Sequence, residues 1–146
     1  MENNRITLLI VLLILITGMA NSQELANHEW ENRLVLILTD DTNSVKYQKQ
    51  IQEFQTDIKG MKERKILFYH ITPTTFKQGL TDGRWQKSET VYKTYKRSDV
   101  QPEIVLIGLD GGAKLYAQEF ITNQKLFAKI DVMPMRREEI RSKKKQ

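Results

Sequence analysis

Met133-Pro134-Met135-Arg136-Arg137 is the most distinctive run of chemistry in the chain. Two adaptable thioethers flank a proline, and two guanidiniums follow that could hold a carboxylate or a phosphate. Read for function, the segment is a docking surface. Read plainly, Pro134 stops a helix, the methionines plug a core and the arginines cap terminal carbonyls. Asp131 stands beside it as an ion-pair partner for Arg136 or for Arg33. Asp110-Gly111-Gly112 with Lys114 has the look of a phosphate cradle but lacks the spacing of a P-loop or a dinucleotide fingerprint. A tight two-residue hairpin accounts for each of its residues. The binding candidates are therefore Asp110, Lys114, Asp131, Met133, Pro134, Met135, Arg136 and Arg137.

Other polar groups are weaker candidates. Asp40 and Asp41 follow an apolar run, where open α/β sheets place ligands, and paired carboxylates there could hold a cation or act as acid and base. An N-cap with a favourable helix-dipole charge explains them without a ligand. His28 and His70 are the only histidines, far apart and without carboxylates at ligand spacing, so no zinc site follows. A Ser-His-Asp site lacks its G-x-S-x-G elbow. In Arg84–Arg97, Trp85, Tyr92 and Tyr95 lie among basic residues and could stack bases, although no nucleic-acid motif is matched. The plainer expectation is a solvated helix with its aromatics packed on a sheet, and an anionic glycan suits the patch better than DNA. No cofactor fingerprint is present. With no cysteine in the sequence, thiol–disulfide exchange, disulfides and zinc-thiolate or iron–sulfur sites are excluded.

These residues need elements to hold them. Arg33–Thr39 and Glu103–Gly108 are short apolar runs that fit strands buried on both faces, and Lys65–Ile71 fits a third strand. From Ser44 to about Met61, apolar residues recur at helical spacing as Val45, Tyr47, Ile51, Phe54, Ile58 and Met61, and Gly60 marks the expected end. Residues 72–101 read as irregular, broken by Pro73, Gly79 and Gly83, with one short helix over Ser88–Arg97 capped by Ser88. Ala113–Ala117 returns as a strand, and Thr122–Val132 is a last amphipathic helix stopped by Pro134. The order βαβ followed by ββα points to an α/β sandwich with a central mixed sheet. It is the thioredoxin-like order, with Pro102 just before the third core strand. At the place where that fold carries its redox site stand Thr39-Asp40-Asp41-Thr42-Asn43-Ser44, without Cys-x-x-Cys.

Residues 1–22 read as a signal peptide: Arg5, an apolar run over Ile6–Ile16, Gly18, and small residues Ala20 and Ser22 before a cleavage. The run is shorter than the roughly 20 residues a spanning helix needs. Export to a periplasm or medium is thus expected, with membrane attachment only if the segment is retained. The formal charge of +5 is uneven. Residues 136–146 carry six cations against two carboxylates, a net +4, and read as a frayed basic tail. The folded domain is accordingly placed at 23–135.

Two segments go further. Val105-Leu-Ile-Gly-Leu-Asp-Gly-Gly-Ala-Lys-Leu115 and Ile130-Asp-Val-Met-Pro-Met-Arg-Arg-Glu-Glu139 resemble the domain-of-unknown-function family DUF4174, and Trp30-Glu-Asn-Arg33-Leu-Val-Leu resembles its start. That resemblance implies a thioredoxin-like domain in exported bacterial proteins, with related modules in animal extracellular-matrix proteins. It passes on a fold and a compartment and no activity. The leading expectation is a non-catalytic interaction module that meets another exported protein or an anionic glycan through Met133–Arg137. The alternatives are a cofactor-dependent oxidoreductase, a hydrolase using Asp40 and Asp41, and adhesion to anionic surfaces through the basic end.

Overall fold

Arg33–Leu38 forms β1, whose six residues are all buried, as its continuous apolar run requires of a central strand. A computed structural model describes residues 25–145, so the signal sequence expected over 1–22 lies outside the described residues. After β1 come α1 (Val45–Gln55), α2 (Ile58–Glu63), β2 (Ile66–Ile71), β3 (Thr75–Gln78), β4 (Gln86–Lys87), α3 (Thr90–Tyr95), β5 (Glu103–Ile107), β6 (Ala113–Ala117), α4 (Asn123–Asp131) and α5 (Pro134–Lys143). The strands make one mixed sheet in the order β4-β3-β2-β1-β5-β6. β1 and β2 are parallel, joined through the α1–α2 crossover, whereas β5 runs antiparallel to β1. No helix among the described residues is long and apolar enough to cross a membrane.

Two buried clusters lie on opposite faces of the sheet, because successive strand residues alternate sides. Val35, Ile37, Ile104 and Leu106 meet α1, α2 and α4 through Phe54, Met61, Leu126 and Ile130. Leu34, Leu36, Leu38, Val105 and Ile107 meet α3 through Val91, with Leu25 closing that side. The result is a three-layer α/β sandwich, consistent with the thioredoxin-like order. The peptide bond between Gln101 and Pro102, ahead of β5, is cis.

Several local expectations are corrected. The single helix expected from Ser44 to Met61 is two helices. Thr56 turns its hydroxyl onto the Glu53 carbonyl at 2.7 Å, and Asp57 caps α2 by accepting from the Gly60 amide at 2.8 Å. Short polar side chains offer the backbone these alternatives to helix continuation. Gly60 is therefore inside α2, where a Cβ would fall 2.8 Å from Phe127, so it allows α2 to approach α4. Val45 and Ile58, expected on the inner face, are 70% and 40% exposed.

Residues 72–101 are more regular than expected. Thr72-Pro73-Thr74-Thr75 closes a hairpin between β2 and β3, with the Thr72 amide donating to the Thr75 carbonyl at 2.8 Å. Pro73 occupies a turn position that its fixed φ favours. The helix here is confined to Thr90–Tyr95 and starts from Glu89, without the side-chain cap assigned to Ser88. The hairpin loop between β5 and β6 is likewise longer than two residues. Gly108 and Gly112 pair across it, Gly111 adopts φ +72°, and the register slips by one residue at Lys114. That is a turn closed by a left-handed glycine and followed by a bulge.

One buried polar pair ties β2 to α1. His70 is 1% exposed; its Nδ1 lies 2.5 Å from the Tyr47 hydroxyl and its Nε2 lies 2.9 Å from the Leu80 carbonyl. A carbonyl can only accept, so Nε2 carries the proton and Nδ1 receives the Tyr47 hydroxyl hydrogen. Burial, assisted by Lys77, pushes the imidazole down to about 4, and burial raises the Tyr47 hydroxyl to about 12. The folded state thus prefers neutral His70, while the unfolded chain protonates it at its ordinary value of 6.5. Stability is complete above pH 6.5 and falls as the pH drops towards 4, by a total of about 3 kcal/mol. Urea unfolding from pH 7 to pH 4 is expected to show that slope, and His70→Gln to flatten it. An unchanged slope in the variant would contradict the assignment.

Candidate functional site

The Met133–Arg137 segment divides between core, ion-pair network and surface. Pro134 ends the α4 region and also occupies the first turn of α5, where a missing amide hydrogen costs nothing. Met133 is half-buried against the α1–α2–α4 side of the core, whereas Met135 is 39% exposed and Arg137 is exposed. Arg136 is fully buried. Its Nε donates to Asp131 at 3.2 Å, its Nη1 to the Glu63 carbonyl at 3.1 Å and to Glu139 at 3.2 Å, and its Nη2 to the Glu63 carboxylate at 2.9 Å.

Two further arginines complete the arrangement. Arg64 grips Asp131 with both Nε and Nη2, at 3.0 and 2.6 Å, and its guanidinium stacks 4.0 Å above the Phe127 ring. Arg33, 1% exposed at the start of β1, donates from Nη1 to the Arg64 carbonyl at 2.9 Å and to Glu139 at 3.2 Å. Partial burial works to raise the Asp131 carboxyl and is outweighed by Arg64 and Arg136, which hold it below the usual carboxylate range. Asp131 and Arg136 therefore lock α4 and α5 onto α2 and β1. The expectation of a frayed tail from residue 136, and of a domain ending at 135, is corrected accordingly: α5 is helical to Lys143, and its Arg136 and Glu139 belong to the folded body.

Asp110 and Lys114 pair with each other across 2.6 Å, and Asp110 also accepts from the Gly112 amide at 3.2 Å. Hydrogen bonding to Lys114 lowers the Asp110 carboxyl. Both groups are engaged in shaping their own hairpin. The sheet register puts this hairpin at the end where β1 begins, the same end as the arginine network.

The other end of the sheet is open. There the two aspartates diverge. Asp41 accepts from the Asn43 amide at 2.8 Å, and the cap of α1 is Ser44 rather than either aspartate. The Asp40 carboxylate receives the Tyr92 hydroxyl and the Gln101 amide, while the Asp40 backbone N–H donates to Gln101 Oε1 at 2.6 Å. Burial, then the Asp40 carboxylate, raises the Tyr92 hydroxyl. Tyr92 and Tyr95 thus pack towards the sheet, and Trp85 stands apart against His70, with ring centres 6.5 Å apart.

Beside Pro102 these contacts leave a cleft of about 510 Å³ lined by Lys46, Lys49, Gln50, Val100, Gln101, Pro102 and Gln118–Phe120. Gln50 builds one wall. It is 1% exposed; its Nε2 donates to the Ile121 carbonyl at 2.8 Å and its Oε1 accepts from the Ile121 amide at 2.9 Å. One side chain therefore satisfies both backbone groups of Ile121, as a neighbouring strand would. Asn123 adds bonds to the Glu53 carbonyl at 2.7 Å and to Thr56 at 3.0 Å. With Ile121 pinned, Phe120 is left 49% exposed at the mouth of the cleft and Val100 37% exposed across it. Gln50, Gln101 and Phe120 were not among the residues singled out from the sequence. Gln50 had a signal, since it falls three residues after Tyr47 and four before Phe54, on the inner face of α1.

A protein-family model, Domain of unknown function (DUF4174), matches residues 24–139. No curated protein and no solved structure matches the chain. The match extends through Arg136 and Glu139, in keeping with their place in the folded body.

Arg136→Ala is expected to lower unfolding free energy by about 3 kcal/mol in urea titrations, since it strands buried acceptors and carboxylates. Arg136→Lys recovers only part of this, lacking the planar fork. Arg137→Ala should stay within about 0.5 kcal/mol. Equal losses at Arg136 and Arg137 would refute the division between them. Gln50→Ala should cost about 2 kcal/mol by leaving both Ile121 groups unpaired. Faster amide hydrogen exchange at Ile121 in that variant is the direct check, and unchanged exchange would refute the role.

Proposed function

The chain belongs to the DUF4174 family, and from that premise we propose that it is an exported, non-catalytic binding module. In this reading the bound segment of another protein lies in the cleft beside Pro102. Export rests on the sequence of residues 1–22, with its basic start, apolar run and small residues before the cleavage point. The non-catalytic role rests on chemistry within the chain. The position of the thioredoxin-like redox site holds Thr39–Ser44 and the sequence contains no cysteine, so no thiol can attack or leave. Asp40 and Asp41 face different partners, which argues against a cooperating acid–base pair.

The observation that carries the reading is Phe120. A large aromatic held half-exposed by a buried Gln50 clamp, over a cleft lined by Val100 and Pro102, is an apolar anchor with its conformational cost already met. The binding surface first expected at Met133–Arg137 is displaced, because Arg136 is buried and Met133 faces the core. Adhesion through the basic end also becomes hard to isolate. Truncation after Met135 would remove Arg136 and Glu139 and damage the fold itself.

Panning a displayed random-peptide library on the whole chain is expected to enrich sequences that Phe120→Asp no longer retains. The far-ultraviolet circular dichroism and melting of that variant should match the parent. Enrichment indifferent to Phe120→Asp, or no enrichment at all, would overturn the cleft as the binding site.

A further inference from the structure

β6 is one of the two edge strands of the sheet, and the chain just beyond it, Gln118–Phe120, lines the cleft. An unpaired strand edge presents a row of unused backbone donors and acceptors, and proteins normally blunt it. Here the blunting is one-sided. The bulge at Lys114 disrupts the start of β6, whereas Leu115–Ala117 beyond it, half-buried to exposed, carry neither a proline nor a charged side chain and lead into the exposed bend at Gln118–Glu119. Alongside that stretch runs a second groove of about 670 Å³, continuous with the cleft through Val100 and Gln118–Phe120.

The charge along this path is predominantly positive. Lys125 and Lys129 of α4 line the edge groove, and Lys46 and Lys49 of α1 line the cleft. None of the four forms an ion pair among the described residues, and Glu119 is the sole carboxylate among the lining side chains. The spacing also fits an extended ligand. Lys125 and Lys129, four residues apart on a helix, are separated by about 6 Å along its axis. Residues i and i+2 of a strand are separated by about 6.8 Å. Every second side chain of an added strand could therefore meet one lysine of α4.

We propose that the chain binds an extended acidic peptide segment, which adds as a seventh strand along Leu115–Ala117 of β6 and continues past Gln118–Phe120. Alternate carboxylates face Lys125 and Lys129, and the end of the segment passes over Phe120 towards Lys46 and Lys49. This rests on the cleft reading above and specifies its ligand. Backbone pairing supplies the affinity common to strand addition, and the lysines supply the preference for acidic sequence. A second copy of this chain fits less well, since edge-to-edge pairing would bring like-charged lysine rows together. A sulfated glycan would meet the lysines but leave the strand edge and the apolar Val100 and Phe120 unused.

The test uses the whole chain and a fluorescein-labelled dodecapeptide of alternating glutamate and valine, followed by polarisation. A lysine–valine peptide of the same pattern serves as the control. The acidic peptide is expected to bind at least tenfold tighter than the basic one. N-methylation of every second peptide bond in one register should weaken binding at least tenfold, and methylation in the other register should leave it within twofold. Lys125→Glu with Lys129→Glu should also weaken it at least tenfold. The methylation series changes only the ligand, so it stays informative if that variant folds poorly. Equal sensitivity to both methylation registers, or to neither, overturns strand addition. So does a heparin hexasaccharide that binds when the acidic peptide does not. A preference for the basic peptide, or no binding of either, overturns the acidic ligand. The cleft reading is decided separately, by the dependence of library-selected peptides on Phe120.

Discussion

Two guanidiniums with almost no solvent exposure, Arg33 and Arg136, set the terms for one end of this molecule. A buried cation is tolerated only when it is paired and its donors are used. Arg136 meets this demand with Asp131, Glu139 and both the carbonyl and the carboxylate of Glu63. The partners come from the ends of α2 and α4 and from α5 itself. None of those elements can shift without stranding charge. Arg33 shares Glu139 with Arg136, which couples the first residue of β1 to the last helix across 106 positions of sequence. The run from Asp131 to Glu139 is in this light a fastening written in side chains. Its proline starts the helix that carries the arginine, and its first methionine fills core beneath.

Fastening one end of the sheet defines what the other can do. The network and the Asp110 hairpin gather where β1 begins; Asp40, Gln101 and Pro102 gather where it ends. At the second end one buried carboxylate, Glu103, pairs with Lys96 at 3.4 Å, and neutral amides do much of the remaining fastening. Gln101 spans the Asp40 amide and carboxylate, and Gln50 occupies both hydrogen-bonding groups of Ile121. Neutral amides of this kind fix loops without a large desolvation cost. The walls of the cleft are thereby shaped before any ligand arrives, while Phe120 and Val100 are kept outside the core.

The strands were legible in the sequence because burial on both faces leaves a plain trace: Arg33–Thr39, Lys65–Ile71 and Glu103–Gly108 each match an observed strand to within one residue. So was α4, expected over Thr122–Val132 and observed over Asn123–Asp131. What escaped was decided by side chains acting on distant backbone. The helix break at Thr56 and Asp57 follows from local hydrogen bonds that competed with an apolar period of helical spacing. The β2–β3 hairpin was hidden because Pro73, read as a breaker, is a turn former when strands flank it. In the motif the Asp131–Arg136 pair was readable, but the burial of Arg136 was not. Guanidiniums near the end of a chain look solvated until the fold supplies three carboxylates, and Glu63 and Arg64 lie about seventy positions away. The cleft was less visible still, since Gln50 and Phe120 acquire meaning only through Ile121.

A sheet of this shape must also answer for its two edges. At the β4 side the edge strand is two residues long and exposed, too short to template a neighbour. At the β6 side the strand is longer and the answer is partial, for Lys114 bulges out only next to the hairpin. Stability alone gives no reason to protect one half of an edge and leave the other bare. The bare half is the one that runs into the cleft and is flanked by lysines from two helices. Like charge there discourages two copies from pairing, which removes the usual hazard of an open edge while keeping it available to a strand of opposite sign. The same arrangement bears on the missing thiols. An exchange reaction holds its partner by a thiol bond, which this cysteine-free chain cannot form; the binding proposed above would rest instead on area, backbone pairing and charge.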